Sequence, residues 1–165
     1  MTIIQATLTD IKTIQQVGTQ SYYESFLDLW TKDGIKKFIE KAYSLPKLRS
    51  DLKDKEIYWF LCLDNMGNCI GIAKIILNAI DESKAVLEKI YFLEEVKGKG
   101  YAQKLIQFLI TFLKSEKQIS LTLEVLQNNV RAISFYKKQG FVIEEAKPYS
   151  TDRCEIGMYT MTRQL

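Results

Sequence analysis

Val96-Lys97-Gly98-Lys99-Gly100-Tyr101-Ala102 lies between an apolar, strand-like run and a strongly amphipathic segment. Two glycines at this spacing let the backbone curl with its N–H groups turned inward, and the helix that follows adds the positive end of its dipole. Such a turn suits a phosphate or pyrophosphate. Lys97 and Lys99 raise the local positive potential further. Taken alone, Gly98 and Gly100 read equally well as an ordinary tight turn, because a lone G-x-G is a weak motif.

Working outward, Ala85–Phe92 reads as the strand entering this turn, and Gly100–Glu116 as the helix leaving it. Ala102, Leu105, Ile106, Leu109 and Leu113 give that helix one apolar stripe. Ser120–Val125 alternates, with Leu121, Leu123 and Val125 on one face and Thr122 and Glu124 on the other. Asn129 caps a helix that runs to Gln139, and Gly140 suits the position after its end. Phe141–Glu144 and about Glu155–Met161 read as closing strands.

Before the turn, Ile57–Leu63 and Cys69–Leu77 read as a hairpin around Asp64-Asn65-Met66-Gly67-Asn68. Further upstream come a short strand at Ile3–Ala6 and a helix capped at Thr9 that reaches about Phe26. A second helix covers Thr31–Ala42, and a third starts at Pro46 and ends about Leu52. The order β-α-α-α-β-β-β-α-β-α-β-β predicts an α/β (α+β) domain with a mixed central sheet, occupying residues 1–165 as one unit.

Composition narrows the function classes. Apolar residues at 47% and charged residues at 26% are those of an ordinary globular protein, and the net charge of +3 is too mild for a nucleic-acid footprint. No apolar run approaches the roughly 18 residues that span a bilayer. No signal peptide is read at the start, so a cytoplasmic protein without membrane or nucleic-acid partners is expected. The three cysteines Cys62, Cys69 and Cys154 lack CxxC spacing, which gives no disulfide framework and no metal site. Histidine is absent altogether. Acid–base work therefore falls to carboxylates, tyrosine, cysteine, lysine or water, and Ser-His or Cys-His schemes are excluded.

Lys97-Gly98-Lys99-Gly100-Tyr101-Ala102, followed about 30 residues later by Asn129-x-x-Ala132-x-x-Phe135-Tyr136-x-x-x-Gly140-Phe141, resembles the GNAT family of acyl-CoA N-acyltransferases. The family's loop is Arg/Gln-x-x-Gly-x-Gly/Ala, and Lys97 stands here in the first place. Leu123-Glu124-Val125 leads into the second block in the matching manner. Leu87-Glu88-Lys89-Ile90-Tyr91-Phe92 and the helical region Ser21–Leu52 resemble, more narrowly, the PaiA-type spermine/spermidine acetyltransferases.

The resemblance implies the GNAT fold, a mixed central sheet whose fourth and fifth strands splay apart, flanked by helices. It implies acetyl-CoA as cosubstrate, no metal, and a small-molecule amine as acceptor. It also allows a homodimer. Backbone N–H groups of Lys97, Gly98, Lys99, Gly100, Tyr101 and Ala102 would hold the CoA pyrophosphate. Ile90, Tyr91 and Phe92 would run beside the pantetheine arm, or serve simply as core or wall.

Tyr136 would protonate the departing thiolate, since a phenol with a pKa of about 10 is protonated at neutral pH. Without the motif it reads as an interfacial tyrosine. Asn129 is a helix cap in either reading, and the family adds a CoA amide or an ordered water. Lys138 would touch the CoA 3′-phosphate, or face water. Glu88 is the candidate base, directly or through water, against the plain reading of a salt-bridged strand residue. Glu124 competes for that work. A backbone N–H near Phe92 would polarise the thioester carbonyl.

Tyr22, Glu24, Phe26 and Asp28 lie in an aromatic-rich stretch that would form the acceptor wall. Glu24 and Asp28 share a helix face if the helix continues that far, and would then suit a cationic amine. The plain reading is a helix end with solvated acids. The expected activity is direct acetyl transfer to a primary amine, with a polyamine such as spermidine as acceptor, although the mildly basic charge argues against that acceptor. The alternatives are a non-catalytic acyl-CoA-binding regulator and an acetyltransferase of protein or peptide N-termini.

Overall fold

A computed structural model describes residues 1–165. Its strands are β1 (Thr2–Gln5), β2 (Ile57–Leu63), β3 (Cys69–Asp81), β4 (Lys84–Phe92), β5 (Ser120–Leu126), β6 (Val142–Lys147) and β7 (Met158–Gln164). The helices are α1 (Ile11–Phe26), α2 (Lys32–Ala42), α3 (Leu45–Asp51), α4 (Tyr101–Ser115) and α5 (Val130–Lys138). Short 3-10 turns occupy Leu8–Asp10, Leu27–Leu29 and Glu94–Val96.

The strands form one sheet in the order β1-β2-β3-β4-β5-β7-β6. Only β4 and β5 are parallel neighbours, joined by the crossover helix α4 that a parallel pair requires. Their pairing runs from Lys84↔Ser120 to Leu87↔Leu123 and stops there, although both strands continue. Beyond that point the sheet opens, as a fourth and fifth strand that splay apart should.

Opposite faces of the sheet carry different helices. Phe60 packs edge-on against Phe108 and Phe112 of α4, with ring centroids 5.3 and 5.1 Å apart. On the other face, Tyr43 at the end of α2 packs its ring against Trp59, centroids 6.4 Å apart. Because both faces are covered, β5 does not behave as a half-exposed strand. Thr122, expected on a polar face, is buried and its hydroxyl bonds to that of Thr162 at 2.9 Å. No helix is long and apolar enough to cross a membrane.

Several boundaries moved for identifiable reasons. The first helical turn is capped by Thr7 rather than Thr9: the Asp10 carboxylate accepts the Thr7 N–H at 2.8 Å, closing a capping box. Helix α3 begins as Pro46 suggests, with Ser44 as its cap. Strand β3 runs four residues past Leu77 to Asp81. The last strand starts at Met158, because Glu155–Gly157 belong to a folded loop in which Ile156 and Gly157 donate their N–H groups to the Tyr149 carbonyl.

Candidate active site

The glycine turn forms as its sequence requires. Gly98 and Gly100 have φ of +83° and +77°, a region that costs an L-residue roughly 1–2 kcal/mol. No backbone or side-chain acceptor in the protein takes the N–H groups of Gly98, Lys99 or Gly100. The first turn of α4 adds its own unpaired N–H groups and the positive end of its dipole. A Cβ at either glycine would meet nothing within 4 Å, so the space over this cradle is open. A pyrophosphate fits such a donor set.

The lysines of the turn divide the work. Lys99 is exposed. Lys97 turns back, its ammonium bonding Glu94 at 2.5 Å and the Ser25 hydroxyl at 3.1 Å. Glu24 accepts the Glu94 N–H at 2.8 Å. The end of α1 thus fastens the approach to the turn at two points.

That arrangement corrects the pairing expected of Glu24 and Asp28. Helix α1 ends at Phe26, and Leu27–Leu29 tightens into a 3-10 turn, so the two carboxylates do not share a helix face. Asp28 is exposed on that turn. Tyr22 and Phe26 instead join an aromatic cluster: Tyr22 stacks on Phe38 at 4.4 Å, and both Tyr22 and Phe26 meet Tyr91 edge-on at 5.9 and 6.0 Å.

Tyr91 belongs to the stretch Ile90-Tyr91-Phe92 of β4 that flanks the opening. Leu93 donates its N–H to Ile70 of β3 at 3.0 Å. Amide directions alternate along a strand, so the Phe92 N–H points to the opposite edge, into the gap between β4 and β5. Burial holds the Tyr91 phenol well above its ordinary pKa, and the nearby hydroxyls of Tyr43, Tyr22 and Tyr136 and the Glu88 carboxylate push in the same direction.

Tyr136 is buried on α5. Burial raises its pKa, so the phenol is protonated throughout the neutral range, and its hydroxyl bonds to no other protein group. The helix ends immediately after it in a Schellman turn: Phe141 N–H reaches the Tyr136 carbonyl and Gly140 N–H reaches that of Lys137, both at 3.0 Å. Asn129 caps the start of the same helix, accepting the Ala132 N–H at 3.1 Å. Lys138 is exposed in its last turn.

Glu88 occupies a bulge. Lys74 pairs with Lys89 and Ile75 with Leu87, leaving Glu88 without a partner on β3 just where β4 and β5 part. Its carboxylate bonds Lys74 at 2.7 Å and Lys89 at 3.0 Å. Burial alone would raise its pKa, but the attraction of Lys89 and Lys74 outweighs burial and holds the carboxyl below its ordinary value. Glu124, at the matching place on β5, pairs with Lys147.

Sequence reasoning passed over what lies behind Glu88. Lys74 is 2% exposed and also bonds Asp51 at 2.8 Å; Asp51 in turn accepts from Lys47 at 2.6 Å and from the Trp59 indole N–H at 3.3 Å. A lysine inside an apolar strand flanked by Ala73 and Ile75 is the signal that marked it. Also missed was the loop between β6 and β7. There Asp152 accepts the Thr31 N–H at 3.0 Å and also the Thr31 hydroxyl, while Thr151 bonds the Leu29 carbonyl. No trio of His, Cys, Asp or Glu side chains is arranged to hold a metal.

Comparison with known proteins agrees with this geometry. The family model described as "Acetyltransferase (GNAT) family" matches residues 19–141. A spermidine N(1)-acetyltransferase of Thermoplasma acidophilum is 24% identical over 144 residues, covering 87% of this chain and 89% of that protein. A streptothricin acetyltransferase of Escherichia coli is 35% identical over 72 residues, 44% of this chain and 41% of its own. Among solved structures, the PaiA N-acetyltransferase of T. acidophilum in complex with coenzyme A superposes with a TM-score of 0.84 at 21% identity over the whole of both chains. The ribosomal-protein-S18-alanine N-acetyltransferase of E. coli gives 0.75 at 21% identity, over 99% of this chain and 92% of that one. With its signature loop, splayed parallel pair and matching family model, this chain belongs to the GNAT family of acetyltransferases.

Proposed function

We propose that the enzyme transfers an acetyl group from acetyl-CoA to a primary amine by direct attack, with a polyamine such as spermidine as the acceptor. One observation carries the reading: Glu88 sits at the bulge where the pairing of β4 with β5 stops, in a chain whose buried Tyr136 keeps its proton and has no protein partner for its hydroxyl. The chain thus offers a protonated acid and a carboxylate for the reaction.

When bound, acetyl-CoA supplies a thioester carbonyl open to attack and a thiolate leaving group. The N–H groups of Gly98, Lys99, Gly100 and the first turn of α4 bind its pyrophosphate. The Phe92 N–H polarises the carbonyl from the open edge of β4. The Tyr136 phenol gives its proton to the leaving sulfur.

Lys89 and Lys74 hold the Glu88 carboxyl below its ordinary value, which makes it a weaker base. It orders the acceptor's ammonium in the gap and lets the proton leave through water. Glu124, paired with Lys147, places a second carboxylate at the matching point of β5, and the half-buried rings of Phe26 and Tyr91 offer aromatic surface to a cation. These groups suit a flexible, multiply charged amine, and the T. acidophilum spermidine acetyltransferase supports that acceptor class.

The test is release of free CoA thiol with acetyl-CoA and, in parallel, spermidine, spermine, streptothricin, single amino acids and an alanine-led peptide. Saturable turnover with the polyamines and none with the peptide is the expected result. Turnover confined to the peptide overturns the acceptor class. CoA binding without turnover on any amine overturns the enzymatic assignment of Tyr136 and Glu88.

A further inference from the structure

Three cations and two carboxylates meet behind the opening of the sheet. Lys74 of β3 stands directly across from Trp59 of β2 on one side and Lys89 of β4 on the other, so all three side chains leave the same face. Lys74 lies over the Trp59 ring, 5.7 Å from its centroid, and Lys89 over the Tyr43 ring at 5.8 Å. Between them Lys74 joins Asp51 to Glu88 at 2.8 and 2.7 Å.

A buried ammonium in such a place needs a reason. Removing ions from water costs several kcal/mol each, and an apolar side chain of similar volume serves a core at least as well. Ala73 and Ile75, the neighbours of Lys74, are themselves fully buried. Asp51 does not require Lys74 for charge balance, because Lys47 already pairs with it and the Trp59 indole donates to it. What Lys74 adds is a fixed link from this rigid anchor to the one carboxylate at the bulge where β4 and β5 part.

We propose that Lys74 is a positioning residue for acetyl transfer: clamped by Asp51 and Trp59, it fixes the Glu88 carboxylate at the mouth of the gap, ready to order an incoming ammonium. This rests on the role given to Glu88 above. Glu88 is on a side chain with three rotatable bonds, and its side chain is 35% exposed. Without the clamp only Lys89, its own neighbour on β4, holds it. A carboxylate has room for about four hydrogen bonds, so the two lysines leave lone pairs free for an acceptor.

The charged and titratable groups facing Glu88 are Lys74 on β3, Lys89 and Tyr91 on β4, Tyr43 at the end of α2, and Lys47 and Asp51 on α3. The test compares wild type with Lys74→Met, and with Lys74→Met/Asp51→Asn in case the single change disturbs folding. Two readings are taken: the titration of the Glu88 carboxyl by carbon NMR, assigned through Glu88→Gln, and the pH profile of kcat/KM with acetyl-CoA and spermidine.

The expected result is a Glu88 carboxyl that titrates about one pH unit higher without Lys74, with the acidic limb of kcat/KM moving alongside. In a Glu88→Gln background, Lys74→Met then lowers kcat/KM by less than about twofold, because there is no carboxylate left to position. An unmoved titration overturns the proposal, as does an equal loss of kcat/KM with and without Glu88. Failure of wild type to acetylate spermidine overturns the acceptor class alone, since the carboxyl titration needs no acceptor.

Discussion

Phe141 holds Tyr136 at two points: its N–H donates to the Tyr136 carbonyl at 3.0 Å, and the two rings meet edge-on with centroids 5.6 Å apart. A Schellman turn with its hydrophobic contact thus fixes the backbone and ring of the one phenol assigned to protonate the leaving thiolate. The hydroxyl itself is left without a protein bond.

Tyr136→Phe should therefore separate chemistry from structure. Turnover at saturation is expected to fall about 100-fold or more, the usual weight of a general acid. The melting temperature and CoA affinity should hold, because the change removes no bond within the protein. Steady-state kinetics beside calorimetry of CoA binding checks this, and undiminished turnover would remove Tyr136 from the role.

The phosphate turn predicts an ordering between a glycine and a lysine. Gly100→Ala forces a side chain into φ of +77° and should weaken CoA binding about tenfold, on the 1–2 kcal/mol that such a conformation costs. No neighbour lies within 4 Å of the added Cβ, so conformation and not collision is the cause. Lys97→Ala, whose ammonium is turned to Glu94 and Ser25, should lose only about two- to threefold. Calorimetric titration with CoA ranks the two, and a larger loss for Lys97 would contradict a grip made by the main chain.

Acid should unlock the buried charge cluster. For Asp51, burial raises the pKa but Lys47 and Lys74 outweigh it, so Asp51 and Glu88 both titrate below their ordinary values of 3.8 and 4.5. A carboxyl depressed in the folded state stabilises the protein fully above its unfolded pKa, and that contribution is lost as pH falls through the folded value. Urea midpoints should therefore be flat from pH 7 to about 5 and decline below about 4, more shallowly in Lys74→Met/Asp51→Asn. An identical acid decline in that variant would assign the effect to other carboxylates.

Gly34 lets the loop between β6 and β7 dock on α2. A Cβ there would collide with the Asp152 carboxylate, which accepts the Thr31 N–H. Gly34→Ala should displace Asp152, remove about 1 kcal/mol as a lost helix cap does, and speed hydrogen exchange in residues 149–157. Asp152→Ala should reproduce the loosening. Exchange in that loop as slow as in wild type, for both variants, would show that Thr151 alone suffices to hold it.

The sequence made most of the fold legible because periodicity and glycine placement agree in its second half. The turn before α4, the stripe of α4, the Asn129 cap and the Gly140 stop each impose one local geometry, and all four formed. The acceptor side was less legible for a physical reason. Whether Glu24 and Asp28 meet depends on where α1 ends, and at that end Tyr22 packs on Phe38 of α2, a tertiary contact that helical periodicity alone does not carry. Lys74 stood out only as a lysine in an apolar strand; its part in the site was hidden because its partners come from α3 and β4, 23 residues before it and 14 after it. Glu88 was visible as a carboxylate on the right strand; its bulge was not, since register is fixed only when β3 and β4 pair.

The donors that would hold CoA belong to the main chain, and this has a bearing on how the protein can change. At Lys99, exposed between the two glycines, the amide is indifferent to the side chain above it, so this position can drift to suit solubility or a neighbouring molecule. Gly98 and Gly100 cannot. Mutational tolerance should thus be strict at both glycines and permissive at the residue between them, a pattern that a deep substitution library would print directly onto the sequence.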